Sequence, residues 1–393
     1  MNAKGSERLV YLDNNATTPM MREARKALAE TLLDGNASSM YGLGRKSKAF
    51  VEDARKGFAE LLGCDSDEVI FTSGATESND TVLNIAKRLI REKGGGRIVS
   101  SSIEHPSIIE TLKHLKNEEG IDYALCPVDQ GGMLRIDALE KELKKGDVVL
   151  TTVMAANNET GVIQPIGEAC ALAHECKSLF HTDATQILGK SEFGFAEGGF
   201  DYASCSAHKF YGPKGVGALV VKKGVPFFPF LTGGHQEDGK RSGTYNSTSV
   251  YAAGIAARIA NADRKKEAGR LGRLRDYLRK GLMKKVPDIS FNGDDKHLVP
   301  NTLNVSFRNV EGESILLMLD FDGICVSTGS ACATGSLEPS YVLLASGKPI
   351  EDAHSSIRFS LGRENTKKDI DYVLEKLPPI IERLRQISTR GRK

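Results

Sequence analysis

Lys209 follows a β-rich run, Tyr202-Ala203-Ser204-Cys205-Ser206, within Ala207-His208-Lys209-Phe210-Tyr211-Gly212. A lysine delivered by a buried strand among small and aromatic residues is costly to keep charged, and an amine so placed suits Schiff-base chemistry. Asp183 lies 26 residues earlier, at the end of the apolar run Leu179-Phe180-His181-Thr182. Earlier still, Phe71-Thr72-Ser73-Gly74-Ala75-Thr76-Glu77 reads as a strand that ends in small residues and opens into a helix, where unpaired N–H groups and the helix dipole favour an anion. Each feature alone has an ordinary alternative: a turn and cap at Gly74, an N-cap at Asp183, a phosphate clamp or surface lysine at Lys209. Together they are the amine, the acid partner for a ring nitrogen and the phosphate cradle that pyridoxal phosphate requires.

Other positions fit around that set. His105, in Ile103-Glu104-His105-Pro106, falls where a strand gives way to a helix; its imidazole could stack on a cofactor ring or simply bond backbone. Asn157-Asn158-Glu159-Thr160-Gly161 reads as a turn whose amides could also reach a ring hydroxyl. Arg358, in the alternating run Ser356-Ile357-Arg358-Phe359-Ser360, offers a two-pronged contact for an amino-acid carboxylate, with an ion pair inside the domain as the alternative. Cys332 rides on Ser327-Thr328-Gly329-Ser330-Ala331-Cys332-Ala333-Thr334-Gly335-Ser336, a stretch without a large side chain to anchor it. Such a composition predicts a mobile segment and a thiol placed for reactivity rather than packing, although a Gly-rich connector with an incidental cysteine has the same composition. Gly233-Gly234-His235-Gln236 and Arg241-Ser242-Gly243-Thr244 belong to a long polar loop, a surface excursion or a source of further anion contacts.

The elements that must position these residues follow from the pattern of the chain. Between about residue 68 and residue 221, short β-rich runs alternate with helical stretches, the rhythm of a parallel sheet with crossover helices. In 75–92, Val82, Ile85, Ala86 and Leu89 recur at helical spacing and give one buried face. A helical pattern from Thr248 to Lys285 is long enough to link two domains. Beyond it, 303–308 and 324–327 read as strands and 313–321 and 366–386 as helices, the last opened by a capping box at Thr366-Lys367-Lys368-Asp369. The expected architecture is α/β: a large domain, 19–260, with a mainly parallel sheet between helices, and a smaller α+β domain, 1–18 plus 261–393, carrying the Cys332 segment. With 393 residues and 40% hydrophobic content the chain can bury two cores. Its 53 basic and 51 acidic residues nearly cancel, which argues against nucleic acid or an acidic membrane as partner. Neither a leader-like stretch in Met1–Pro19 nor an apolar run of ~18 residues is evident, so a soluble, cytoplasmic protein is expected. Seven cysteines without a C-x-x-C pair suggest neither a disulfide framework nor a metal site.

The whole set resembles the cysteine desulfurases of the NifS and IscS type, within the fold-type I pyridoxal-phosphate enzymes. The resemblance runs from Tyr11-Leu12-Asp13-Asn14-Asn15-Ala16-Thr17-Thr18-Pro19 to Arg358-Phe359-Ser360-Leu361-Gly362-Arg363. Its most specific pieces are Thr72 to Glu77, Asp183-Ala184-Thr185-Gln186, His208-Lys209, Arg241 to Thr244 and Gly329-Ser330-Ala331-Cys332. It implies that Ala75, Thr76, Ser206 and His208 bind the phosphate, with Thr244 reaching it across a homodimer interface. It further implies that Asp183 pairs with the ring nitrogen, Gln186 and Asn158 contact the ring oxygen and His105 stacks on the ring. Lys209 would carry the cofactor, Arg358 would hold the substrate carboxylate, and Cys332 would take sulfur from L-cysteine as a persulfide for a protein acceptor such as an iron-sulfur scaffold. A selenocysteine lyase, an aminotransferase or a non-catalytic sulfur carrier are the rival readings. Ala37, Tyr41 and Ala207 depart from the usual family pattern around Asn36-Ala37-Ser38-Ser39-Met40-Tyr41 and before His208-Lys209.

Overall fold

The computed structural model describes residues 8–328 and 338–387. Its main sheet has seven strands: β2 (Val69–Thr72), β3 (Arg97–Ser101), β4 (Asp122–Cys126), β5 (Val148–Thr152), β6 (Leu179–Asp183), β7 (Tyr202–Ser206) and β8 (Gly217–Val221), preceded by a short β1 (Val10–Tyr11) outside it. The spatial order is β2-β8-β7-β6-β5-β3-β4. Only β8 runs antiparallel, to both β2 and β7, so the remaining strands share one direction. β5, β7 and β8 are buried along their whole length, as strands covered on both faces must be. Because β2 regains the common direction, the residues after β2, β3, β5, β6 and β7 all emerge at one edge. In open α/β sheets that carboxyl edge is where ligands are held.

One face of the sheet packs Phe58, Phe71, Phe180 and Phe210 against an alanine-rich stretch, Ala252 to Ala260. The other buries Val82, Ile85, Ile98 and Leu112 with Tyr202. The helix Ser247–Lys285 is 39 residues long. Its buried residues as far as Ala260 join the first cluster, and from Leu271 onward they join a third, built with Phe307, Phe359 and Leu377. The small residues permit a close crossing with the helix Gly42–Leu62, since a Cβ on Gly254 would stand 2.4 Å from the Ala54 Cα.

The third cluster is covered by an antiparallel sheet, β12-β10-β9, made of β9 (Ile289–Asn292), β10 (Thr302–Phe307) and β12 (Ser356–Ser360). The N-terminal β1 pairs in parallel with β11 (Ile324–Cys325) and places Val10 in the same cluster. The strand expected over 324–327 therefore ends early, with only a single bridge from Ser327 to Arg358 beyond it. The helix expected over 366–386 spans Lys367–Ile387. At its start Thr366 donates both its N–H and its hydroxyl to the Asp369 carboxylate, so the hydroxyl donates instead of accepting as in a full capping box.

Candidate active site

Five segments at the carboxyl edge of the main sheet enclose a cavity of about 570 Å³. After β2 the chain passes Ser73 and an extended Gly74 into the helix Ala75–Lys93, and Ser73 to Thr76 form one end of the cavity. Gly217 beside it is glycine of necessity, since a Cβ there would lie 2.6 Å from the Gly74 Cα, whereas one on Gly74 would meet Ser206 Oγ only at the ordinary contact distance of 3.4 Å. Glu77 locks the first helical turn. It accepts from the Ser73 N–H at 2.7 Å and from Arg241 Nε and Nη2 at 2.9 and 3.1 Å. Burial acts to raise the Glu77 carboxyl, but these bonds outweigh it and hold the group below its ordinary value.

Asp183 sits at the end of β6, buried, with Oδ1 accepting from the Thr185 N–H at 2.9 Å and Oδ2 from Asn79 Nδ2 at 3.0 Å. It therefore closes a local turn and faces the cavity at once. Asn79 Oδ1 and Thr185 Oγ1 are buried with no hydrogen-bond partner among the described residues. His105 caps the helix Pro106–Glu119 by accepting from the Ser107 N–H at 3.1 Å through Nδ1, so its neutral form carries the proton on Nε2. The imidazole lines the cavity as well. Burial first, and then the charge of Lys209, lower its pKa against the opposing pull of Asp183, which keeps the ring neutral. His208 is pushed down to about 4, by burial and then by Lys209 and other lysines.

Lys209 ends a short 3-10 turn after β7, and its Nζ donates to the carbonyls of Asn15 and Ala16 at 2.6 and 2.9 Å. The N-terminal segment is laced over this turn: the Thr18 N–H bonds the His208 carbonyl at 2.9 Å, and Thr18 Oγ1 accepts from the Tyr211 N–H at 2.8 Å. Tyr211 pays for the tight reversal with a left-handed backbone, φ 69°. Arg358 comes from β12, across from the main sheet. Its guanidinium donates to Asp13 Oδ1 at 2.6 Å and to the Asn158 carbonyl at 3.0 Å, while the buried Nε has no hydrogen-bond partner among the described residues. The ion pair and the cavity contact thus coexist in one side chain.

Ala75, Thr76, His105, Asn158, Asp183, Gln186, Ser206, His208, Lys209 and Arg358 all line this one cavity. Thr244 does not. It borders a smaller pocket of about 70 Å³ with Arg241 and Phe71. Cys332 lies outside the described residues, although Ser327 and Ser340 on either side are placed: Ser327 exchanges backbone hydrogen bonds with Arg358 at 2.7 and 3.2 Å, and the Ser340 hydroxyl bonds the buried Glu159 carboxyl. Residue-by-residue reading did not assign Asn15, Asn79, Glu104 or Lys190, which reach the site through hydrogen bonds or adjacency. A four-residue spacing links Ala75 to Asn79 and Gln186 to Lys190, and this was the one signal available for two of them.

A mainly parallel sheet whose carboxyl edge gathers an amine, a carboxylate and a helix start defines the class, and the Aminotransferase class-V family model matches residues 10–373. The chain belongs to that family. Within it, the chain is 45% identical over 384 residues to a cysteine desulfurase IscS of Dictyoglomus turgidum, covering 97% of each. It is 42% identical to a cysteine desulfurase IscS of Methanosarcina thermophila, covering 98% of this chain and 95% of the relative. A solved NifS-like protein superposes with a TM-score of 0.89 at 36% identity, covering 96% of this chain and all of the other. This chain is a member of the cysteine desulfurases, pyridoxal-phosphate enzymes of the class-V aminotransferase family.

Proposed function

We propose that this protein converts L-cysteine to L-alanine, with Lys209 carrying pyridoxal phosphate and Cys332 receiving the sulfur as a persulfide. The observation that carries the reading is the convergence of Lys209, Asp183 and Arg358 on one cavity of about 570 Å³. The residues present fit the cofactor. Ser73 to Thr76 bring a helix start to one end of the cavity, the Asp183 carboxylate faces it without an ion-pair partner among the described residues, and Asn79 and Thr185 keep unused buried oxygens beside it. Pyridoxal phosphate, when bound, supplies an aldehyde for amines and a ring that withdraws electrons from the substrate Cα.

The chain's own residues do the rest. Ala75, Thr76, Ser206 and His208 hold the phosphate, and neutral His208 donates without adding a charge that would repel Lys209. Asp183 would keep a proton on the ring nitrogen, Gln186 and Asn158 would contact the ring oxygen, and His105 would stack on the ring. Arg358 binds the α-carboxylate of cysteine, sharing its guanidinium with Asp13. Lys209 Nζ, freed from the cofactor by the incoming amine, takes the Cα proton. The thiolate of Cys332 forms an S–S bond to the substrate sulfur as the C–S bond breaks, with the electron pair left on carbon and protonated to give alanine. Transfer of the persulfide sulfur to a protein acceptor, such as an iron-sulfur scaffold, completes the cycle. The large unit is taken as 19–260 and the small one as 1–18 plus 261–393. A homodimer brings the partner's Thr244 to the phosphate.

The test is alanine release from L-cysteine with and without a thiol reductant, in wild type and Lys209→Ala. Reductant-stimulated release by wild type, with none from Lys209→Ala, is expected. Equal release by both proteins would overturn the reading.

A further inference from the structure

Lys190 is among the most deeply buried lysines of the chain, 8% exposed. Among the described residues no carboxylate lies within ion-pair distance of it. Its ammonium meets two side-chain oxygens instead, Gln186 Oε1 at 2.6 Å and Asn15 Oδ1 at 3.1 Å. Burying a lysine without an acid is expensive, and here burial first, then the nearby charges of Lys209 and Arg358, drive its pKa well below the ordinary range. Glu267 and Arg363 share the small cavity behind it, with Glu267 itself committed to Arg270 at 2.8 Å.

The two acceptors carry the consequence. An amide side chain can present either its C=O or its NH₂ to a ligand, and a donor behind it decides which. Facing two side-chain oxygens, Lys190 has N–H groups for both whether charged or neutral, so it takes Oε1, and Gln186 Nε2 turns to the Asn15 carbonyl, which it reaches at 3.0 Å. The second N–H of that amide then belongs to the cavity that Gln186 lines. Asn15 is held at the same time: its carbonyl accepts from Lys209 Nζ at 2.6 Å, and its Nδ2 reaches the Asn158 carbonyl at 3.1 Å.

We propose that Lys190 is a positioning residue: by bonding Gln186 Oε1 and Asn15 Oδ1 from behind the cavity, it forces the Gln186 amide to offer N–H to an anionic ring oxygen and fixes the carbonyl that holds Lys209 Nζ. The inference rests on the cofactor reading above. Lys190 touches neither cofactor nor substrate. It acts through Gln186 and Asn15.

The test uses dimeric protein loaded with pyridoxal phosphate and follows the cofactor absorbance band as pH is varied, for wild type, Lys190→Met, Gln186→Ala and the double variant. Lys190→Met should raise the protonation midpoint of the Lys209–cofactor linkage by ~0.5 or more, because the N–H donor that orients the Gln186 amide is lost. Affinity for pyridoxal phosphate should weaken roughly three- to tenfold, the loss of one hydrogen bond. In the Gln186→Ala background the same change should weaken affinity by clearly less, since the amide it acts through is gone. Circular dichroism of the apo protein checks folding, and Lys190→Ala, which also removes the donor, is measured in its place should Lys190→Met not fold; its midpoint should also rise. A midpoint and affinity equal to wild type, or affinity losses that add fully in the double variant, would overturn the proposal. A wild type that shows no cofactor band in any condition would instead refute the cofactor reading.

Discussion

Glu104 is wholly buried beside His105, and only one of its oxygens is used: Oε1 accepts from the Ser101 hydroxyl and from the Met154 N–H at 2.9 Å, while Oε2 has no hydrogen-bond partner among the described residues. Burial raises the carboxyl to about 8, against those two hydrogen bonds and with some help from Asp183. The folded protein therefore holds a proton here that the unfolded chain releases near its ordinary value of 4.5. The sign follows from linkage: a folded-state pKa above the unfolded one stabilises fully below the unfolded value, and the stabilisation is lost as pH rises through the folded value. Glu104→Gln keeps the shape and the acceptor but has no proton to lose. Integrating the linkage from about pH 6 to about pH 8, wild type should lose ~2 kcal/mol relative to the variant. For a chain of this length that is a fall in Tm of ~2–3 °C relative to Glu104→Gln.

Thermal unfolding of the apo protein, followed by circular dichroism at several pH values in that window, measures the difference directly. Glu159 also titrates there, pushed to about 7 by burial, but it contributes equally to both proteins and cancels. Parallel curves for the two proteins, or a variant destabilised by the same amount at every pH, would refute a protonated Glu104. A wild type that gained stability over the variant with rising pH would show the carboxylate ionised and paired in a way the geometry does not provide.

Arg358→Ala should raise KM for L-cysteine roughly ten- to a hundredfold, the worth of a charge-assisted pair, while cofactor content stays near wild type in absorbance. Loss of cofactor with unchanged KM would make Arg358 a structural partner of Asp13 alone. Cys332→Ala should bind cofactor and show a cysteine-dependent spectral change without sustained alanine release; full activity would move the acceptor role to another cysteine. Cys325 is a poor substitute, because burial raises its thiol and Asp320 and Asp13 add to that. Mixing Lys209→Ala with Thr244→Ala subunits should recover part of the activity if one intact composite site forms per heterodimer, and sedimentation of a fully active monomer would exclude that arrangement.

Elements with a long periodic signal were legible in the chain itself. The expected helices 75–92 and 248–285 fall within a residue or two of Ala75–Lys93 and Ser247–Lys285, the first because its apolar spacing gives one buried face, the second because its alanine- and charge-rich pattern ends before Pro287. Strand ends were less so. The run 324–327 is cut to Ile324–Cys325 because its partner, β1, offers only Val10 and Tyr11 in register, a pairing between residues more than three hundred apart that no local pattern encodes. The same holds for the capping of Thr366, where the motif was right but the hydroxyl found the carboxylate before the backbone.

The site divides along the same line. Asp183, Lys209, His105 and Arg358 announce themselves because each is an ionisable side chain at the end or middle of an apolar run. Asn15 gives no such sign, being one polar residue in a polar turn, yet its carbonyl takes Lys209 and Gln186 and its side chain takes Lys190 and Asn301 while giving to Asn158 and Thr302. Those bonds come from four separate stretches of chain, around Asn158, Gln186 to Lys190, Lys209 and Asn301 to Thr302. Asn15 could sit among them only after the N-terminal segment had crossed from β1, in the C-terminal cluster, to the carboxyl edge of the main sheet. The chemistry is therefore written in single residues, but the distances that make it work depend on two cores meeting. Asn15→Ala should accordingly destabilise the site more than its size suggests in thermal unfolding, because Lys190, Asn301, Thr302 and the Asn158 carbonyl each keep one partner but lose another, at ~0.5–1.5 kcal/mol for each bond that water does not replace.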